Sequence, residues 1–396
     1  MGRGKERFQF VNLWFKIHFM KITTIEIYKF NVPLKEPFVI AIETITHAES
    51  ILLKINTDTG IYGLGECNPY RSIAGETQAT CFEIAQFLAK ILLRNEIPTQ
   101  SGRGGNPLAI NNRLAEMDKM IVGNRCIKSA FDMALYDIAA KTANMPLYAY
   151  LGGENNRLIQ TDMTVGINTP EYMAESALKF KNQGFPAIKV KLGRDKNSDI
   201  ARIKAIRHAI GDTMPLRIDA NQGWDEATAI ATLRALEKYD IEHCEQPVSA
   251  KNIRALANVK RHSPIPIMAD EALFDHFDAL NLVRHNACDE FNIKLSKSGG
   301  IHNALKINAI AEAAGIKCQV GCFSETRLAM SALMHFILAC PNVVHFDMDA
   351  PLMLSSDPIR GGVQYGDKGT VFIGDEIGIG ADIDENFLKE LKNVTV

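Results

Sequence analysis

The chain of 396 residues carries no excess of basic charge: 44 lysines and arginines stand against 46 aspartates and glutamates, a formal net charge of −2. That excludes a broad positive field, and with it general binding of nucleic acid or other polyanions. No apolar run approaches the length of a membrane span, about 20 residues, so no membrane partner is expected. None of the eight cysteines, Cys67, Cys81, Cys126, Cys244, Cys288, Cys318, Cys322 and Cys340, forms a C-x-x-C pair. Most sit inside apolar segments and read as reduced, buried thiols of a cytoplasmic protein. A glycine-rich turn between a strand and a helix is also missing. "SGRGGNP" at 101–107 follows no strand and opens no clear helix, so it reads as a loop and not as a phosphate cradle.

What is present is ordinary globular composition, 46% hydrophobic and 23% charged. The length exceeds one ordinary core but suits a barrel plus a smaller domain. "MGRGKERFQFVNLWFKIHF" makes a poor signal peptide, because Lys16 and His18 interrupt its apolar part and no small-residue cleavage site follows. Residues 1–19 are expected to be an upstream extension or a disordered tail. Residues 20 to 67 read as strands, with a hairpin signal in "ESILLKINTDTGIYGLGEC", and 75–94 and 125–143 have helical periodicity. Strands followed by helices indicate a small α+β domain. From about 158, short apolar strands alternate with amphipathic helices: eight strands with seven helices between them. Strict alternation of this kind predicts a parallel sheet closed into a TIM-type barrel. An open doubly wound sheet is the alternative, but it would usually carry the glycine-rich first turn.

One charged or polar position recurs at each strand end: Thr164, Lys191, Asp219, Glu245, Asp270, Lys294, Gly321 and Asp347, at intervals of 24 to 28 residues. In a barrel those ends share the rim where active sites lie. Asp219, Glu245 and Asp270 come from consecutive strands. Three convergent carboxylates need a counter-charge, and hard oxygen donors without a histidine cluster suit Mg²⁺. Any one of the three alone would read as an N-cap or salt-bridge residue. Lys191 and Lys294 end the second and sixth strands, diametrically opposite in an eight-strand ring. Lys189 lies two residues before Lys191 on the same strand face, where its charge would lower the Lys191 pKa and make that lysine a usable base. A solvated strand carrying two surface lysines is the competing reading. His243 is discounted as a metal ligand despite the H-x-E with Glu245, and Lys297 is assigned to a loop.

These motifs, "KVK" at 189–191, "DAN" at 219–221, "EQP" at 245–247, "ADE" at 269–271 and "NIKLSKSGG" at 292–300, resemble the muconate-lactonizing subgroup of the enolase superfamily. The resemblance covers the chain after Met20. It implies a modified (β/α)7β barrel at 151–360, and an α+β capping domain formed by 20–150 and the returning segment 361–396. Capping loops around 35–48 and 68–75 would close over the substrate. The implied chemistry is removal of a proton α to a carboxylate held on Mg²⁺, with the enediolate stabilised by the metal. Bases on both faces favour a racemase or epimerase, an isomerase. "HFDMDAP" at 345–351 resembles dipeptide epimerases, whose D-x-D, here Asp347 and Asp349, holds the substrate ammonium; Thr164 is a further expected substrate contact. The epimerised carbon is then that of the C-terminal residue. Glu43 stands where relatives acting on Ala-Glu carry an arginine, which implies Ala-X with neutral or hydrophobic X, or a cationic X paired with Glu43. The runner-up is an o-succinylbenzoate synthase or N-acylamino acid racemase. A non-catalytic ligand-binding relative is a third reading, weakened because every base and metal position is filled. A homo-oligomer is implied as well.

Overall fold

The computed structural model describes residues 20–93 and 105–396. The expectations for residues 1–19 and for most of the loop at 101–107 lie outside them. The described chain opens with antiparallel strands β1 (Ile22–Val39), β2 (Thr44–Thr57) and β3 (Tyr62–Cys67). On β2, Ile51, Leu52 and Leu53 are all 0% exposed, so the strand is covered on both faces. Helices Gln78–Leu93 and Arg125–Thr142 pack against this sheet. The second comes so close that a Cβ at Gly63 or Gly65 would lie 2.0 or 1.9 Å from the carbonyl oxygens of Ala134 and Ala130. Only glycine permits that approach.

The barrel strands follow: β4 (Met163–Val165), β5 (Ile188–Lys191), β6 (Leu216–Asp219), β7 (Ile241–Glu245), β8 (Ile267–Ala269), β9 (Glu290–Ile293), β10 (Lys317–Val320) and β11 (Val343–Phe346). They pair in parallel and in chain order. A helix follows each of the first seven. The Asp162 N–H donates to the Phe346 carbonyl across 3.0 Å, which joins the first strand's entry to the last. The final strand, β12 (Lys392–Thr395), pairs antiparallel with β1, so the chain ends in the sheet where its described part began.

Two buried carboxylates of the first unit dock it onto the barrel by capping barrel helices. Glu66 on β3 accepts from the Thr326 N–H (3.0 Å), the Thr326 hydroxyl (2.6 Å) and the Ala329 N–H (3.2 Å). Asp132 accepts from the Ile301 and His302 N–H groups at 2.5 and 3.3 Å. Each satisfies donors that a helix N-terminus leaves without an intrahelical partner.

His335 is a third connection between the two units. Its Nδ1 accepts from the Tyr148 N–H at 3.1 Å, and its Nε2 donates to the Ile379 carbonyl at 3.0 Å. Burial pushes its pKa down to about 4. A histidine depressed on folding stabilises the native state above its unfolded value of about 6.5, and that contribution is lost as the pH falls through about 4. We expect roughly 3 kcal/mol of acid destabilisation from this residue, the size of the depression at ~1.4 kcal/mol per unit. Thermal melts should show it as a steep fall in Tm between pH 6.5 and 4 that flattens in His335→Gln. The same slope in both proteins would contradict this role.

Candidate active site

Lys191, Asp219 and Glu245 end β5, β6 and β7 and are Cα partners in register. Asp270, Lys294 and Asp347 each follow the last residue of their strands directly. Parallel pairing in chain order brings these residues to one rim. Asp219, Glu245 and Asp270 are each 0% exposed, and one oxygen of each lies within 4.8 Å of the others. Among the described residues, no histidine or cysteine joins this set of three. All-oxygen donors in a buried cluster fit a hard divalent cation such as Mg²⁺.

The lysines flank that cluster. Lys191 Nζ lies 2.6 Å from Asp219 Oδ2, and Lys294 Nζ lies 2.7 Å from Asp270 Oδ2. Their strands, β5 and β9, are four apart in the eight-strand order, so they reach the carboxylates from opposite sides. Burial alone would lower the Lys294 pKa, but the Asp270 and Glu245 carboxylates outweigh it and hold the ammonium above its ordinary range. Gly321 on the rim is a spacer, since a Cβ there would lie 2.8 Å from Lys294 Cε. Lys189 is fully buried, with Nζ 2.6 Å from Asp347 Oδ2, 2.7 Å from Glu245 Oε2 and 3.8 Å from Asp219 Oδ2. Burial opposes its charge as well, yet Asp347, Glu245 and Asp219 keep its pKa well above the usual value. It therefore stays an ammonium, two residues below Lys191.

Asp347 and Asp349 do not lie on one continuous strand. β11 ends at Phe346, and Asp349 opens a one-turn helix, Ala350–Met353. Both carboxylates nonetheless meet at Cys322, whose Sγ is 3.8 Å from an oxygen of each. Their charges differ. Burial would raise Asp347, but Lys189 and then Lys191 hold it below the usual range. Burial, and then Asp347, push Asp349 up to about 7. Thr164 takes part through its backbone, its N–H donating to Asp349 Oδ2 at 2.8 Å.

Glu43 sits between the two capping segments. It pairs with Arg71 Nε at 3.3 Å and accepts from the Ser72 hydroxyl, so it ties the two capping segments together and its charge is compensated. The capping strand reaches the barrel through its second half. Ser355 N–H donates to the Pro33 carbonyl at 2.9 Å, Ile167 N–H to the Val39 carbonyl at 2.8 Å, and Lys35 Nζ to the Leu352 carbonyl at 2.8 Å. Tyr70 stacks on Phe323 with ring centroids 4.9 Å apart, and Lys294 Nζ lies 5.1 Å from the same ring. A void of about 40 Å³ remains over Lys191, Asp347 and Asp349, walled by Leu34, Phe38 and Leu354 among others.

Lys297 is not in a loop. It lies in a one-turn helix, Leu295–Ser298, is 0% exposed, and sits 2.8 Å from Asp270 Oδ1 and 2.6 Å from the Asp270 carbonyl. The turn after β9 folds its side chain back under the rim. Asn292 and Gln319 were also missed. Their amides donate to Glu245 Oε1 and Oε2 at 2.7 and 3.3 Å. The alternation in "EFNIK" places Asn292 on the face of Lys294 and could have found it. His243 lies lower in the barrel, with Nδ1 3.1 Å from Glu290 Oε2, and takes no part in the set of three carboxylates.

A parallel eight-strand barrel with a capping sheet, and with carboxylates and lysines converging at the strands' carboxyl ends, is the architecture of an enzyme. Residues 22–152 match the mandelate racemase / muconate lactonizing enzyme N-terminal domain, and residues 172–387 the enolase C-terminal domain-like model. The chain belongs to this branch of the enolase superfamily. It is 46% identical to the D-Ala-D/L-Ala epimerase of Cytophaga hutchinsonii over 95% of this chain and all of that one. It is 40% identical to the hydrophobic dipeptide epimerase of Enterococcus faecalis over 91% of this chain and 99% of that one. The crystal structure of a dipeptide epimerase from C. hutchinsonii, complexed with Mg and D-Ala-L-Val, superposes with a TM-score of 0.91 at 46% identity, covering 95% and 100% of the two chains. Relatives of this kind are epimerases and racemases, and the chain is an isomerase. Among the described residues no helix is long and apolar enough to cross a membrane.

Proposed function

We propose that this protein is a Mg²⁺-dependent dipeptide epimerase. It inverts the α-carbon of the C-terminal residue by passing a proton between Lys191 and Lys294. The observation that carries this reading is the placement of the two amines, 2.6 and 2.7 Å from carboxylates of one buried cluster and on strands four apart. Asp219, Glu245 and Asp270 would hold Mg²⁺, which would supply positive charge at the substrate carboxylate. One lysine, neutral, takes the α-proton and leaves an enediolate. The other, as ammonium, returns a proton to the opposite face. Lys189 stays charged and offsets part of the negative charge between Glu245 and Asp347.

The substrate ammonium is held at the end of β11. Asp347 gives one oxygen to Lys189, so Asp349 is the carboxylate left to meet the ammonium. Its pKa of about 7 falls when a cation binds beside it.

The preferred substrates are Ala-X dipeptides with a neutral, small or apolar X. Because Arg71 neutralises Glu43, the charge of Glu43 is no longer the argument. Support for X comes instead from relatives named for D-Ala-D/L-Ala and for hydrophobic dipeptides; the void of about 40 Å³ beside Asp347 and Asp349 suits a small first residue.

Proton NMR in D₂O with Mg²⁺ tests this, on alanine of each hand joined to Ala, Val, Met, Glu and Lys. We expect the α-proton signal of the second residue to fade and a new diastereomer to appear, fastest for Ala, Val and Met. Exchange on N-succinylamino acids, with none on any dipeptide, would reject the reading. Ala-Glu as best substrate by kcat/KM would reject the specificity alone.

A further inference from the structure

Phe38, Thr164 and Met353 face two spaces at once. On one side is the void of about 40 Å³ beside Asp347 and Asp349. On the other is a cavity of about 390 Å³ that includes Val165, Ile167, Phe180, Phe185 and Leu352 in its lining. The wall between them joins two segments. Phe38 comes from the capping half of β1, and Met353 ends the one-turn helix that Asp349 opens. The Lys35–Leu352 and Ser355–Pro33 hydrogen bonds fasten these segments together.

If the ammonium sits at Asp347 and Asp349, the α-carbon of the first residue is one bond away, and its side chain must lie against this wall. The void holds only a small group, whereas the cavity behind it is far larger, with Val165, Ile167, Phe180 and Phe185 alongside polar residues such as Glu36 and Lys179. We propose that the Phe38–Met353 wall sets the size limit at the substrate's first residue, and that the cavity behind it is a latent subsite for a large apolar side chain. Met353 is then a specificity-determining residue. This rests on the dipeptide reading above.

The test compares kcat/KM for Ala-Ala, Leu-Ala and Phe-Ala in the wild type and in Met353→Ala. The wild type should favour Ala-Ala, and Met353→Ala should move the ratio toward Leu-Ala or Phe-Ala by about tenfold or more, the scale of a changed apolar pocket. Phe38→Ala opens the wall from its other side and should move the ratio the same way. Ser176 lines the far side of the cavity, on helix Pro170–Asn182. Adding Ser176→Phe to Met353→Ala should cancel the gain, while Ser176→Phe alone leaves Ala-Ala turnover intact. An unchanged ratio in both wall variants overturns the proposal. So does a gain that survives Ser176→Phe, since the wall has then loosened without the cavity being used. A wild type equally active on Phe-Ala overturns it too. A wild type inactive on every dipeptide rejects the underlying reading and this proposal with it, and the Ala-Ala control tells that failure from the others.

Discussion

Lys191→Ala and Lys294→Ala are each expected to abolish the proposed epimerisation, with kcat/KM down by about 10³ or more, the scale of a lost acid–base group. What separates this two-base arrangement from general damage is what survives. Each variant keeps one amine on one side of the cluster, so each should still exchange the α-proton of one diastereomer with D₂O, and the two variants should choose opposite ones. This follows from the proposed mechanism, because the two strands stand four apart and each lysine would meet the substrate on its own face. Exchange followed separately on each diastereomer by NMR is the measurement. Full turnover in either variant would remove the mechanism, and exchange of the same diastereomer in both would place the lysines on one side.

Asp270→Asn is expected to cost stability as well as activity. Asp270 is shared by two buried ammonium groups, Lys294 at 2.7 Å and Lys297 at 2.8 Å. Removing its charge leaves Lys297, 0% exposed, without its carboxylate partner. An uncompensated buried charge costs about 3–5 kcal/mol. Urea unfolding in EDTA should show that loss relative to wild type. The difference should shrink as the pH is raised, because burial already holds the Lys297 pKa below its usual value and a neutral amine needs no counter-charge. Wild type in EDTA should lose activity but stay folded, since Lys189, Lys191, Lys294 and Lys297 already offset the acidic cluster. Equal stability of variant and wild type in EDTA would show that Lys297 is held by the two carbonyls it also meets, those of Asp270 and Asn292, and not by charge.

The recurrence of Thr164, Lys191, Asp219, Glu245, Asp270, Lys294 and Asp347 once per βα unit was legible in the sequence, because parallel strands in chain order leave their carboxyl ends nowhere to go but one rim. Asn292 was within reach of the same alternation. Lys297 was not, since a position just past a strand end reads as a loop until the turn is seen to fold inward. The pairing of Glu43 was hidden for a related reason. Its charge was visible, but its partner Arg71, 28 residues away, was not.

The sequence by itself therefore determined the barrel, its rim and the chemical identity of the groups there, through period and spacing, which are properties of the chain. Tertiary structure decided which charges cancel. Asp347 pairs with Lys189, and Glu43 with Arg71; Asp349, its pKa raised by burial and by Asp347, is left bordering the void with Phe38 and Met353. Pairing and wall shape depend on distances of a few ångströms between residues far apart in the chain, and no local pattern records them.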